Sequence, residues 1–277
     1  MTDDGRGQER LGDRLVVRPG STVDLGAIEP ADTLGWTKAA ARDAVDADLA
    51  RLTDLQERLW AERKHKLLIV LQGLDGSGKG GTIEHVMGAL SPLGCTVHSF
   101  KVPTEIERAH DFLWRIHLRT PGTGEIAIFD RSHYEDVLVV RVEGLAPEEC
   151  WRARYDQINA FEGLLAADGT TIRKFYLHIG RDEQRERLQA RVDDPRKQWK
   201  FRMGDLATRA RWDEYQAAYR EALERCSTDA APWYVIPADR KWFRNLAVAR
   251  ILAETLEHLD PQFPPPEEPI PEGLVVE

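Results

Sequence analysis

Short apolar runs alternate with longer stretches of helical periodicity along most of this chain. Positions Val45, Leu49, Leu52, Leu55 and Leu59 recur at the spacing of one helix face, predicting a helix from Thr37 to about Glu62. The unbroken run Leu67-Leu68-Ile69-Val70-Leu71 predicts a strand buried on both faces. A helix through Ile83, Val86, Met87 and Leu90 follows and ends near Pro92-Leu93-Gly94. The alternation continues with a strand over 95–101, a helix over 105–119, a turn at 121–124 and a strand over 126–129. Beyond it come helical segments at 131–142 and 147–167, a strand at 171–179 and a helix at 181–191. A long helix at 206–226, a strand at 233–236 and a last helix at 241–258 complete the pattern.

Strands alternating with helices predict an α/β fold with a parallel sheet covered on both faces. The first 35 residues, rich in Gly, Pro and Asp, read as an extended arm whose only strand-like run is Leu15-Val16-Val17. The Pro/Glu-rich residues 261–277 read as an extended tail, leaving 36–260 as one domain.

Composition narrows the classes of function. With 277 residues and 42% hydrophobic content, the chain can bury a sizeable core. A net charge of −9 argues against non-specific nucleic-acid binding, so any polyanionic ligand needs a local basic patch. Cys95, Cys150 and Cys226 are odd in number and far apart, which predicts reduced thiols and no zinc site. The opening ten residues hold no apolar stretch, and no segment reaches membrane-spanning length. The expectation is a cytoplasmic protein.

Directly after the apolar run stands Gly73-Leu-Asp-Gly-Ser-Gly-Lys-Gly-Gly-Thr82. The spacing Gly73-x4-Gly78-Lys79 matches a phosphate-binding loop between strand and helix. In such a loop backbone N–H groups, here of Gly76, Gly78 and Gly80, cradle phosphate oxygens and the lysine supplies charge. Gly80 stands where a Ser or Thr would hold a metal, and Asp75 lies inside the loop instead. A second carboxylate, Asp130, ends the strand Ile126-Ala127-Ile128-Phe129 and is followed by Arg131. Asp75 and Asp130 are the candidate metal ligands, with Mg²⁺ between carboxylates and phosphate oxygens; Mn²⁺ would be its substitute.

Residues 181–211 carry ten basic side chains against six acidic ones, a local excess of cations in an acidic protein. Arg187 and Arg191 read as members of i,i+4 pairs on a solvated helix face. The stretch Asp194-Pro195-Arg196-Lys197-Gln198-Trp199-Lys200-Phe201-Arg202 interleaves cations with aromatics. It reads as a mobile lid, about 192–208, closing over an anionic ligand.

These residues resemble the polyphosphate kinase family 2. The loop with its internal Asp, Phe100-Lys101-Val102-Pro103 and His110-Asp111-Phe112-Leu113-Trp114-Arg115 all carry the likeness. So do Phe129-Asp130-Arg131-Ser132-His133-Tyr134, the 194–201 stretch and Ala231-Pro232-Trp233-Tyr234-Val235-Ile236-Pro237-Ala238-Asp239. The resemblance implies a P-loop kinase-like three-layer sandwich with a helical lid. It implies Mg²⁺-dependent, reversible phosphoryl transfer between inorganic polyphosphate and a nucleoside mono- or diphosphate, with ADP to ATP as the main expectation. On that resemblance Asp75, Lys79, Asp130 and Arg131 form the reacting centre. Lys101, Arg181 and Arg185 would line the polyphosphate path, and Lys197, Lys200 and Arg202 would close the lid. Asp130 is like the diphosphate-preferring group, whereas Ser132 to Val142 is like the group acting on both acceptors. The family also implies a homo-oligomer, dimer or tetramer. An ATP-dependent nucleoside or nucleotide monophosphate kinase is the competing reading, since it shares the loop, the Asp-Arg pair and a basic lid. The histidines at 85, 98, 110, 117 and 133 read as structural, not as phosphate carriers.

Overall fold

A computed structural model of the chain describes residues 10–276. The first nine residues of the expected arm lie outside the described residues. The remainder builds one six-stranded sheet between helical layers.

The centre of the sheet is β2 (Lys66–Gln72), flanked by β4 (Ile126–Asp130) and β5 (Thr170–His178), with β3 (Cys95–Ser99) and β6 (Trp233–Pro237) outside them. All four pairings among these five strands are parallel. Successive β2 side chains face opposite ways, which is why an unbroken apolar run was required. Leu68 and Val70 join the core shared with α7 (Glu148–Ala167) and α10 (Trp212–Cys226). Leu67, Ile69 and Leu71 join the core shared with α2 (Lys38–Glu62) and α11 (Lys241–Leu259). Each fully buried Leu or Ile stabilises by about 1.5–3 kcal/mol relative to exposure.

The α2 helix starts at Thr37, whose hydroxyl accepts from Ala40 N. It is tied to α11 by Asp48, a buried carboxylate paired with Arg51 and Arg250, both at 2.7 Å.

Four predicted helices are broken, the one expected through Leu90 ending at His85 before a separate 3-10 turn over Met87–Ala89. The 105–119 stretch divides into α4 (Glu105–Arg108) and α5 (Trp114–His117), because Asp111 Oδ1 accepts from Leu113 N at 2.9 Å and offers the backbone a turn. In 131–142, Arg131 adopts a left-handed φ of 63°, and Ser132 is extended and caps a single turn at His133–Asp136. Only Val139–Val142, α6, is helical after it. The 206–226 helix becomes α9 (Met203–Ala210) and α10, separated at Arg211, which is held by Glu214 and Glu143.

The N-terminal segment also departs from the sequence expectation. It forms α1 (Leu11–Leu15) and the edge strand β1 (Val16–Val17), antiparallel to β6. Leu11 and Leu15 pack on the α11 side of the sheet, whereas Val17, Val23 and Leu25 pack on the other. The segment therefore wraps the sheet edge. Gly/Pro composition hides this, because its few apolar residues are too sparse to show a period.

No helix among the described residues is long and apolar enough to cross a membrane.

Candidate active site

Register brings the candidate residues together. Leu71 of β2, Asp130 of β4 and Ser99 of β3 lie side by side at the C-terminal ends of adjacent parallel strands. The chain leaving β2 becomes the 73–82 loop, and the chain leaving β4 becomes Arg131, so both converge in one crevice.

The loop needs its glycines. Gly73, Gly76 and Gly78 have φ of 150°, 89° and 106°, a region L side chains rarely adopt. Lys79 opens α3 (Lys79–His85) and is buried, its Nζ donating to Gly73 O at 2.6 Å. Burial and the nearby Arg131 push this ammonium down, while Asp75, Asp130 and Glu135 work to keep it charged.

Asp75 accepts from Arg131 Nη2 at 2.6 Å, and Arg131 Nη1 donates to Glu135 Oε2 at 3.2 Å. Burial works to raise the Asp75 pKa, but Lys79 and Arg131 outweigh it and hold the carboxyl below its usual range. Asp130 is different. Ser99 Oγ donates to its Oδ2 at 2.9 Å, while its Oδ1 is buried with no hydrogen-bond partner. A buried carboxylate oxygen without a donor costs about 1–3 kcal/mol, so Asp130 is the open acid of the site.

The other sequence candidates are arranged around this centre. Lys101, Arg181 and Arg185 are exposed, and Arg185 lies 3.9 Å from Asp182. Lys197, Lys200 and Arg202 are exposed in the segment between α8 (Arg181–Asp193) and α9, Lys197 pairing with Asp194 and Lys200 lying over Trp199. Gly76 and Gly78 lie in the loop wall, and Gly80 is exposed on α3. The structure joins Asp75, Lys79, Asp130 and Arg131 in one charged cluster; it gives Lys101, Arg181 and Arg185 no direct contact with it.

The Polyphosphate kinase 2 (PPK2) family pattern matches residues 36–264. The chain belongs to the polyphosphate kinase 2 family. It is 53% identical to an AMP/ADP-polyphosphate phosphotransferase of Meiothermus ruber, over 91% of this chain and 95% of that protein. It is 41% identical to an ADP-polyphosphate phosphotransferase of Rhodopseudomonas palustris, over 90% of each. A crystal structure of Polyphosphate Kinase 2 from Arthrobacter aurescens TC1 superposes with a TM-score of 0.90 at 45% identity, covering 95% of this chain and 94% of that one.

Several residues around this candidate site carry little sequence signal for the contacts they make. Arg187 does pair with Glu183 at 2.7 Å, as i,i+4 spacing predicts, but it also donates to Gly76 O, Ser77 O, Ala238 O and Asp239 O. It clamps the loop to the end of β6. Arg191 corrects the expectation: its partner is Asp205 of α9, at 3.4 Å, not a residue of its own helix. Gln184 donates to Asp75 O at 2.8 Å and accepts from Arg209, so loop, α8 and α9 are tied in series. Glu135 gave a weak signal, four residues after Arg131.

Proposed function

We propose that this chain transfers phosphoryl groups reversibly between inorganic polyphosphate and a nucleotide, with ADP and AMP as acceptors. The observation that carries the reading is the intact charged centre, Lys79, Asp75, Arg131 and Asp130, in a chain so similar to proteins named for that transfer. The ATP-dependent monophosphate kinase is not favoured, because these relatives are named for polyphosphate.

In the synthetic direction an oxygen of the nucleotide's terminal phosphate attacks the terminal phosphorus of polyphosphate. The new P–O bond forms as the bond to the next phosphate breaks, and the shortened polyphosphate leaves as an oxyanion. The attacking oxygen is already anionic, so no nucleophilic side chain or general base is required. Lys79 and Arg131 offset the charge of the transferring group, and the lid cations Lys197, Lys200 and Arg202 close over it and exclude water. Lys101, Arg181 and Arg185 supply a basic approach for the polyphosphate chain.

The residues fit a divalent cation. Asp130 Oδ1 is buried and without a partner, and Asp75 lies on the same charged cluster. Among the described residues no group of three or more metal-ligating side chains occurs. That suits Mg²⁺, which keeps waters and substrate phosphates as ligands. Bound there, the ion would neutralise phosphate charge. Three free cysteines support a reducing, cytoplasmic setting. A homo-oligomer belongs to the same reading, supported by exposed Val97 on the edge strand β3 and exposed Leu93 and Val102 on either side of it.

The test is a panel of AMP, ADP, GMP and GDP with polyphosphate and Mg²⁺, followed in both directions. Nucleotide products should form, and Asp130→Ala should lower kcat by about 100-fold or more. No product with any acceptor or polyphosphate length overturns the reading.

A further inference from the structure

Arg244, in the first turn of α11, has only 3% of its surface exposed. No carboxylate among the described residues pairs with it. Its Nε and Nη2 both turn to the neutral amide of the next residue, reaching Asn245 Oδ1 at 3.1 and 2.8 Å. Its Nη1 makes no hydrogen bond with another described residue.

The guanidinium lies directly against the phosphate loop. A Cβ on Gly78 would fall 1.8 Å from Nη1, and one on Gly81 would fall 3.3 Å from Nη2. Only glycine at 78 leaves room for it. Arg187 lies beside the same glycine, 3.6 Å from where its Cβ would be, but its donors are satisfied by four carbonyls and Glu183. Two neighbouring arginines thus have different roles. Arg187 is a clamp with a full set of partners, and Arg244 is a buried charge without an anion.

Burial, with the positive charge of Arg187 beside it, pushes Arg244 down to about 10. Its surroundings therefore disfavour its charge in the free protein. Folding retains a buried uncompensated cation at a cost in stability, and a bound anion offsets that cost. The nearest ligand-receiving element is the glycine loop.

We propose that Arg244 is a buried counter-charge for the phosphate anion received by the 73–82 loop, acting from the α11 side while Lys79 acts from within the loop. This rests on the polyphosphate reading above and assigns the donor anion a second buried cation. It has two consequences of opposite sign. Removing the charge weakens the anion's binding, yet it relieves the anion-free protein. A purely structural arginine would lower stability on removal and leave anion affinity alone.

The experiment uses the full chain with Arg244→Met and Arg244→Lys. Tripolyphosphate binding is measured by calorimetry with Mg²⁺, and thermal unfolding is measured without any anion. Arg244→Met should bind about tenfold more weakly, as expected for losing a charged contact to phosphate. Its anion-free Tm should equal or exceed that of the wild type. Arg244→Lys, which keeps the charge, should recover most of the affinity. Binding by Arg244→Met within about twofold of wild type overturns the proposal. So does an Arg244→Met chain that fails to fold, or an Arg244→Lys chain as weak as Arg244→Met. A wild-type chain that does not bind tripolyphosphate overturns the reading of the loop itself, and the proposal with it.

Discussion

Arg131 occupies left-handed backbone that costs a non-glycine residue about 1–2 kcal/mol, and that geometry turns its side chain onto Asp75 and Glu135. The pairing has a pH signature. Because Lys79 and Arg131 outweigh burial, the folded Asp75 carboxyl titrates below its unfolded value of 3.8. As pH falls, the unfolded chain takes up this proton first. The contribution of Asp75 to stability is therefore complete above about pH 5 and is lost as pH descends through the lower folded value. Asp75→Asn lacks that contribution at every pH. The wild-type urea midpoint should consequently fall further between pH 6 and pH 3 than that of the variant, and equal falls would mean that the pair contributes nothing. At this scale Asp75, Lys79, Asp130 and Arg131 were legible in the sequence, since phosphate chemistry restricts both residue type and spacing. Arg187 was legible only as half of an ion pair, and Arg244 was not legible. Their partners at the loop are backbone carbonyls and glycines more than 100 residues away, and a carbonyl has no residue-type signature.

Elements were legible where one period held for several turns, and illegible where a local side-chain bond interrupted it. The parallel strands and the helices α2, α7 and α11 follow from apolar spacing alone. The breaks at Asp111, Ser132 and Arg211 do not, because each depends on a polar contact that leaves the hydrophobic pattern intact. The break at Arg211 matters for the proposed lid, since it lets α9 sit apart from α10. Three contacts hold α9 to α8: Asp205, buried, pairs with Arg191 at 3.4 Å, and Arg209 donates both to Gln184 Oε1 at 3.0 Å and to Arg181 O. Asp205→Ala removes the first and leaves Arg191 unpaired. A local loss of about 1–2 kcal/mol raises the open population roughly 5–30-fold. Trypsin should then cut at Arg196 and Lys197 faster by a comparable factor, while Tm moves by less than about 4 °C. Unchanged cleavage would show that the ion pair does not latch α9 to α8.

On the scale of the whole molecule, the site and the core are joined by one buried polar network. Lys174, in β5, donates from Nζ to Glu162 of α7, to Tyr134 OH and to Cys226 O at the end of α10. Glu162 also accepts from Tyr134 OH at 2.9 Å and contacts His133 Nε2 at 3.1 Å. All four side chains are at most 1% exposed. Burial works against the Glu162 charge, but Lys174 and His133 outweigh it and hold the carboxyl below its usual range. His133 and Tyr134 stand two and three residues after Arg131, so the turn that aims Arg131 is anchored in the sheet and two helices. The sequence concealed this network, because Lys174 and Glu162 lie on different elements and each reads as an ordinary surface charge. Breaking it by Lys174→Met leaves a buried carboxylate without its cation and should cost about 3–5 kcal/mol, a large part of the stability of a typical domain. Replacing both charges, as Glu162→Gln with Lys174→Met, keeps an acceptor for Tyr134 and His133 and removes the unpaired charge. The double variant should therefore be more stable than Lys174→Met alone, a coupling that urea denaturation of the four chains measures directly. If the two losses simply add, the pair is not a unit, and the turn carrying Arg131 must be held by packing instead.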